Sequence, residues 1–283
     1  RLKQLADPFL LPNMRPAIDR LFEARGNDEP ITIFGDYDVD GITSTALLKT
    51  SLEELGWDIR HYLPHRMDDG YGLSRDAVEK CLNECPNTVF LAVDCGSTNT
   101  DSITWLRENG VDVLVLDHHQ VVEPMPPALA IVNPQLGADD EPCFRELCSA
   151  GLAFKLLHAV VKEGRERGEK AMTDFDLRPY LDFVALGTVA DQVPLTGENR
   201  ILVDSGLKKL NETGRLGLIA LKEIALTKAE VGVYEVGFQL GPRLNAAGRL
   251  ESAGAALDLL LAPDAVTAKA LALELDQQNK ERQ

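Results

Sequence analysis

Three short apolar runs in the first half of the chain each lead into an aspartate, and this recurrence constrains the fold more than any other feature. Ile31-Thr32-Ile33-Phe34 leads through Gly35 to Asp36, Val89-Phe90-Leu91-Ala92-Val93 to Asp94, and Val111-Asp112-Val113-Leu114-Val115-Leu116 to Asp117. Runs this short and this rich in β-branched residues read as buried strands. Asp58–Leu63 reads as another strand. Helical stretches separate them: Ile42–Leu55, closed by Gly56; Ser74–Leu82, with Ser74 as N-cap; and a third near Thr100–Asn109. Strand and helix alternating every ~25–30 residues imply βαβ units and an α/β fold, an open, mostly parallel sheet flanked by helices. Ligands of such sheets sit beyond the carboxyl ends of the strands, which is where these aspartates fall.

From Ser149 onward the chain reads as mostly helical, over Gly151–Lys162, Tyr180–Val189, Asn199–Leu210 and Ala265–Gln283. The polar run Glu163–Lys170 reads as a solvated turn between helices. The last helix carries no stop signal and the chain does not begin with Met. Both suggest a fragment, with residues 1–265 as the principal domain and 266–283 as the start of a linker helix into a further domain.

The formal net charge is −16, from 45 acidic and 29 basic residues among 283. A simple electrostatic binder of nucleic acid is basic. Any grip on a phosphate backbone must therefore be local, through divalent cations, a few placed arginines, or a part of the protein outside this sequence. No run approaches ~18 apolar residues, so no membrane span is expected. Five cysteines, an odd number, point to a reducing, cytoplasmic setting. No C-x2-C pair favours zinc, and Cys81 and Cys85 fall one turn apart on an expected helix.

Four acidic clusters carry the chemistry: Asp36-Tyr37-Asp38-Val39-Asp40-Gly41, Asp94-Cys95-Gly96, Asp117-His118-His119-Gln120 and Thr188-Val189-Ala190-Asp191. The first matches the start of an EF-hand loop, but its twelfth position is Leu47 and a strand, not a helix, precedes it. Any one cluster alone is more often a helix cap or a surface or core hydrogen-bonder. Together they supply Asp and His in a ratio that suits divalent Mn or Mg, and two metals bridged by one carboxylate make a phosphoryl-transfer site.

These four motifs, in this order, resemble the DHH phosphoesterase superfamily. Pro64–Ser74, Ala185–Asp191 and Gly241–Arg249 narrow the resemblance to RecJ-type proteins, over nearly the whole chain from about Pro30. One departure stands out: family members such as pyrophosphatases place a His four residues before the first ligand Asp of the first motif, where this chain has Phe34. The resemblance implies two divalent cations, Mn2+ or Mg2+, held by Asp36, Asp38, Asp40, Asp94, His118 and Asp191, with Asp94 bridging and Asp36 either a direct or an indirect ligand. His119 would donate to a phosphate oxygen and Asp117 would orient a histidine. Arg66, Arg243 and Arg249, the last two in an expected Gly-rich loop, would grip phosphate unless held in structural ion pairs. Asn245 would bond substrate or fix that loop. The implied function is a monomeric 5′→3′ exonuclease on single-stranded DNA, releasing 5′-mononucleotides in repair and recombination, near the bacterial nucleoid. A single-strand-binding protein and a helicase are the partners implied. The alternatives are a DHH phosphodiesterase on short oligonucleotides, cyclic dinucleotides or pyrophosphate, and a non-catalytic DHH scaffold. Complete ligand motifs argue against the scaffold.

Overall fold

The structure, a computed structural model, describes residues 1–64, 72–137, 144–225, 230–250 and 254–282, without the side chains of 248–250. Strands β1 (Ile31–Gly35), β2 (Ile59–Tyr62), β3 (Val89–Val93), β4 (Asp112–Leu116) and β5 (Ala130–Val132) form one sheet in the order β2-β1-β3-β4-β5. Every pairing is parallel. The strands lack the polar alternation of a one-sided sheet because both faces are covered. On one face Ile31, Ile33, Leu91, Val93, Leu114 and Leu116 pack into a core with α1 (Met14–Gly26), α2 (Val39–Glu54) and α5 (Ser149–Glu166). On the other, Phe34, Phe90, Ala92, Val113 and Val115 meet α3 (Arg75–Glu84) and α4 (Thr100–Glu108) through Val78, Cys81, Ile103 and Leu106. Phe34 is stacked between Tyr62 and Phe90, with ring centroids 5.6 and 5.4 Å away. Phe34, the departure noted in the first motif, is here part of an aromatic row in the core.

The second half adds α6 (Leu181–Ala190), α7 (Gly197–Asn211), α8 (Leu216–Ile224), α9 (Gly241–Leu250), α10 (Gly254–Leu260) and α11 (Ala265–Arg282). Helix α6 is buried over nearly its whole length and is in contact with α2, α5 and α7. That burial explains its apolar composition all round. Helix α11 lies against α8, α9 and α10 and buries Ala268, Ala272 and Leu275.

Two expectations are corrected. The polar run read as a turn from Glu163 is helical through Glu166, because Glu163 is tied to Arg15 and Arg167. The Gly241–Arg249 segment, read as a Gly-rich loop, is the helix α9. It continues without a break from the π-helical turn Val236–Leu240, so Pro242 lies inside a continuous helical run, just after an interruption of the regular α-helical hydrogen-bond ladder. Among the described residues no helix is long and apolar enough to cross a membrane.

Candidate metal centre

The parallel register continues one residue beyond the strands. The Asp36 amide donates to the Val93 carbonyl (3.2 Å), Asp94 to Leu116 (3.0 Å) and Asp117 to Val132 (3.2 Å). Three aspartates thus stand in a row at the carboxyl edge of β1, β3 and β4. The strand order reverses beside β1, and the crevice at such a reversal is where open α/β sheets bind ligands. Asp94 adopts a left-handed backbone, φ 65°. That conformation costs about 1–3 kcal/mol in a non-glycine residue and persists only where its surroundings fix it. The Leu116 carbonyl holds its amide and the Ser149 hydroxyl donates to its Oδ1 at 2.8 Å.

The loop after β1 turns directly into α2. Asp38 caps that helix, its Oδ1 accepting from the Gly41 amide at 3.0 Å. Asp40, buried in the first turn, accepts from the Ser149 and Ala150 amides at 2.7 and 2.8 Å. Those are unsatisfied amides at the amino end of α5, a natural seat for a carboxylate. Asp191 follows the last residue of α6. His118, after β4, faces three carboxylates: its Nε2 lies 3.5 Å from Asp94 Oδ1, 3.6 Å from Asp191 Oδ2 and 3.8 Å from Asp40 Oδ2.

Those separations are too long for hydrogen bonds. They approach the spacing of ligands that share one cation, since two atoms each ~2.1 Å from an ion sit roughly 3–3.5 Å apart. His118 Nε2, Asp191 Oδ2 and Asp36 Oδ1 are buried polar atoms with no hydrogen-bond partner among the described residues. Such orphans are rare unless an ion or water completes them. The ligand atoms form linked groups: Asp40, His118 and Asp191; Asp36, Asp38 and Asp94; and Asp94, His118 and His119, each group within 4.8 Å. Asp94 and His118 each belong to two of the groups, and of the two only the carboxylate has a second oxygen with which to bridge cations. Among the described residues no cysteine joins them.

The electrostatics agree. Burial, reinforced by the Asp38 charge, raises Asp36 to about 7. Burial with Asp191 raises Asp40 to about 6, and burial with Asp38 raises Asp191 to about 6. Burial and the neighbouring Asp40 push Asp94 well above the ordinary carboxylate range, and burial lowers His118. A cation inverts this balance, because it favours ionised carboxylates and neutral imidazole.

Asp117 stands apart from the orphaned atoms. Burial opposes its ionisation, but the hydrogen bond and charge of His119 outweigh that and hold it at about 2. Its Oδ1 lies 2.7 Å from His119 Nδ1, and its Oδ2 accepts from the Ser97 amide at 3.0 Å. The Asp117 bond raises His119 to about 9. His119 is half-exposed and lines a cavity of about 340 Å³ with Asp36, Asp94, Asp117 and Asn99. Two supporting residues escaped the sequence reading. Ser149 bonds Asp40 and Asp94, and buried Asn133 ties the loop after β4 to Ser97, donating to the Ser97 hydroxyl (2.8 Å) and the His119 carbonyl (2.9 Å). Their signal was available: each borders a strand or helix terminus, where Ser and Asn satisfy loose backbone groups.

The expected phosphate-gripping residues are distributed differently. Arg243 Nε donates to Asp276 Oδ1 at 2.8 Å and its Nη1 to the Gln239 carbonyl at 2.7 Å. That is the structural ion pair weighed against phosphate binding. Asn245 Oδ1 accepts from the Val39 amide at 3.1 Å, fastening α9 to the start of α2. Arg66 and the side chain of Arg249 lie outside the described residues.

A parallel sheet with a carboxylate–histidine centre at its carboxyl edge is the architecture of the DHH phosphoesterases. Residues 30–188 match the DHH family, N-terminal domain, and the chain belongs to that family. Within it, the chain is similar to the RecJ exonucleases. It is 42% identical over 285 residues to the single-stranded-DNA-specific exonuclease RecJ of Haemophilus influenzae, across 99% of this chain and 49% of that protein. It is 40% identical over 280 residues to the Bacillus subtilis RecJ, across 98% of this chain and 34% of that one. A crystal structure of exonuclease RecJ bound to manganese superposes with a TM-score of 0.84 at 40% identity, over 96% of this chain and 66% of that one. The chain spans half or less of the length of these curated relatives.

Proposed function

We propose that this chain is the catalytic core of a metal-dependent exonuclease that hydrolyses single-stranded DNA from its 5′ end, releasing 5′-mononucleotides in repair and recombination. One observation carries the reading. Asp36 Oδ1, His118 Nε2 and Asp191 Oδ2 are buried without partners and belong to ligand groups linked to one another through His118 and Asp94. Divalent cations seated there, manganese as in the solved relative or magnesium, would supply Lewis acidity to the phosphate and a nucleophilic water at neutral pH.

The residues of the chain do the rest. Asp38, Asp40, Asp94 and Asp191 supply the negative charge that retains the cations, with His118 as the neutral ligand and Asp36 as a further carboxylate. Ser149 and the amino end of α5 fix the orientation of Asp40 and Asp94. Asp117 orients His119 through its Nδ1, so that the other ring nitrogen is available to donate to a non-bridging phosphate oxygen. Such fixed donors stabilise charge that develops at phosphorus. Arg66 and Arg249 are the proposed contacts for a 5′-terminal phosphate. Residues 1–265 act as the catalytic unit in this reading and 266–283 lead into a further domain of the longer protein. Its setting is the bacterial cytoplasm, at the nucleoid during repair, where a monomer would work with a helicase and a single-strand-binding protein.

The test is a time course in Mn2+ on single strands labelled at either end. The 5′ label should leave first as a mononucleotide, faster from 5′-phosphorylated than from 5′-hydroxyl strands. First release of the 3′ label would show the polarity to be wrong. Strands left intact in Mn2+ would refute the catalytic reading itself.

A further inference from the structure

Outside the metal centre, one part of the surface is unusual for a soluble face. Tyr234 and Phe238 are 62% and 70% exposed, and their rings stack on each other with centroids 4.9 Å apart at 30°. Large exposed aromatics held side by side mark a contact surface more often than a neutral one. Two local features fix them. The two residues are four apart, which places them on one side of their helical turn. The turn from Val236 to Leu240 is π-helical, a feature that occurs mostly as single-turn bulges and often at functional sites.

The rings form one wall of a cavity of about 590 Å³, whose other wall is Val189, Ala190, Gln192, Val193 and Leu195. That second wall brackets Asp191, whose carboxylate faces His118 at 3.6 Å. Gln192, next in the chain, has a left-handed backbone, φ 61°. The cavity and the metal centre are therefore built on the same segment, Asp191 serving the centre and its chain neighbours the cavity. Among the described residues no charged side chain lines the cavity. In a chain of net charge −16, an uncharged apolar trough is where a polyanion can be held by something other than its phosphates.

Resting on the reading proposed above, we infer that Tyr234 and Phe238 form a stacking platform for a nucleobase of the single strand whose phosphate occupies the metal centre. Every base presents a π-face, so stacking grips a strand without reading its sequence. It also needs no basic surface, which resolves how an acidic chain holds DNA. An unpaired base can enter a trough of this size, whereas a base inside a duplex has both faces occupied, so the platform favours single strands.

The experiment uses 5′-phosphorylated oligo(dT) with 2-aminopurine walked along the strand from the 5′ end. Binding is read by its fluorescence with Ca2+ in place of Mn2+. With the wild-type chain the probe should be quenched at one or two adjacent positions. Phe238→Ala and Tyr234→Ala should abolish that quenching and raise KM for the strand in Mn2+ by ~5- to 150-fold, the span of one lost base stack. Phe238→Trp should retain the quenching and Phe238→Leu should not. Quenching that is equal in wild type and both alanine variants overturns the platform. So does a shift in sedimentation of the alanine variants with no change on DNA, which would assign the face to a second copy of the chain. Wild-type hydrolysis of bis(p-nitrophenyl) phosphate in Mn2+ reads the centre alone. Its absence would count against the catalytic reading, while the fluorescence titration still decides the platform.

Discussion

Replacing Gly187 with alanine tests whether the packing of α6 sets the geometry of the metal centre. A Cβ there would lie 2.5 Å from Ala150 Cβ and from Thr43 Oγ1, and 2.9 Å from Asp40 Oδ1. Carbon contacts normally sit at about 3.5–4.0 Å, so the overlap is about 1 Å. Ala150 and Thr43 are fully buried and Asp40 nearly so, and none can swing into solvent. The helix itself must shift. Overpacking of this kind costs about 1–3 kcal/mol, and at roughly 2–4 °C per kcal/mol for a domain of this size the melting temperature should fall by about 2–12 °C. The functional effect should be larger. Ala150 supplies an amide to Asp40, and Asp191 follows the end of the displaced helix, so the two ligands move apart. A misplacement of about 1 Å can cost about 100-fold in rate. Gly206→Ala is the control. Its Cβ would meet the Leu181 carbonyl at 2.3 Å and Ala185 Cβ at 2.7 Å, a comparable clash on the α7 side of α6. Assayed well below both melting temperatures, Gly187→Ala should lose at least tenfold in Mn2+-dependent hydrolysis and Gly206→Ala less than threefold. Equal losses, or wild-type activity in Gly187→Ala, would refute the reasoning.

Ser149→Ala removes the hydroxyl that holds Asp94. A hydrogen bond to a charged group contributes about 1.5–3 kcal/mol, so the Mn2+ dissociation constant measured calorimetrically should rise by ten- to a hundredfold. Lys155 is fully buried against Glu198, with Nζ 2.8 Å from its Oε2. Lys155→Ala should cost about 3–5 kcal/mol in urea unfolding by stranding a buried charge, and Lys155→Met with Glu198→Leu should cost less. Burial and the Lys155 charge hold His158 down at about 4, with Lys162 and Arg165 acting in the same sense and Asp7 opposing. Its neutral form is the one the fold favours, so this contribution is constant above about 6.5, is lost as pH falls towards 4, and levels below that. The difference in urea midpoint between wild type and His158→Gln should change across that window and nowhere else.

Where strands are short, apolar and followed by Asp, the sequence is a direct guide. β3 falls where its run of five apolar residues predicts, and the register that brings Asp36, Asp94 and Asp117 abreast follows from parallel pairing. The convergence of His118 with Asp191 was legible only through family resemblance, because Asp191 arrives on a helix from a distant part of the chain. β5 has three residues after a Pro-rich approach and leaves almost no periodic signal. Helix α1 did leave one: Met14, Ala17, Ile18, Leu21 and Phe22 are a buried stripe at helical spacing. The α9 segment misled because glycine and proline were weighed as breakers, whereas here the π-helical turn Val236–Leu240 runs straight into it and carries the helix past Pro242. Arg243 stayed open between two partners because a guanidinium suits a carboxylate as well as a phosphate, and only the fold brings Asp276 to it. The Ser149 contacts need tertiary structure outright, since they join residues 55 and 109 positions apart.

The central claim is that these clusters form one centre for two cations joined by Asp94. Calorimetric titration with Mn2+ of the wild-type chain and of Asp94→Ala, both confirmed folded by circular dichroism, tests it most directly. The wild-type chain should take up two equivalents, and Asp94→Ala should lose at least one of them, with the remaining affinity reduced at least tenfold. Two equivalents bound with unchanged affinity by Asp94→Ala, or none bound by the wild-type chain, would contradict the account.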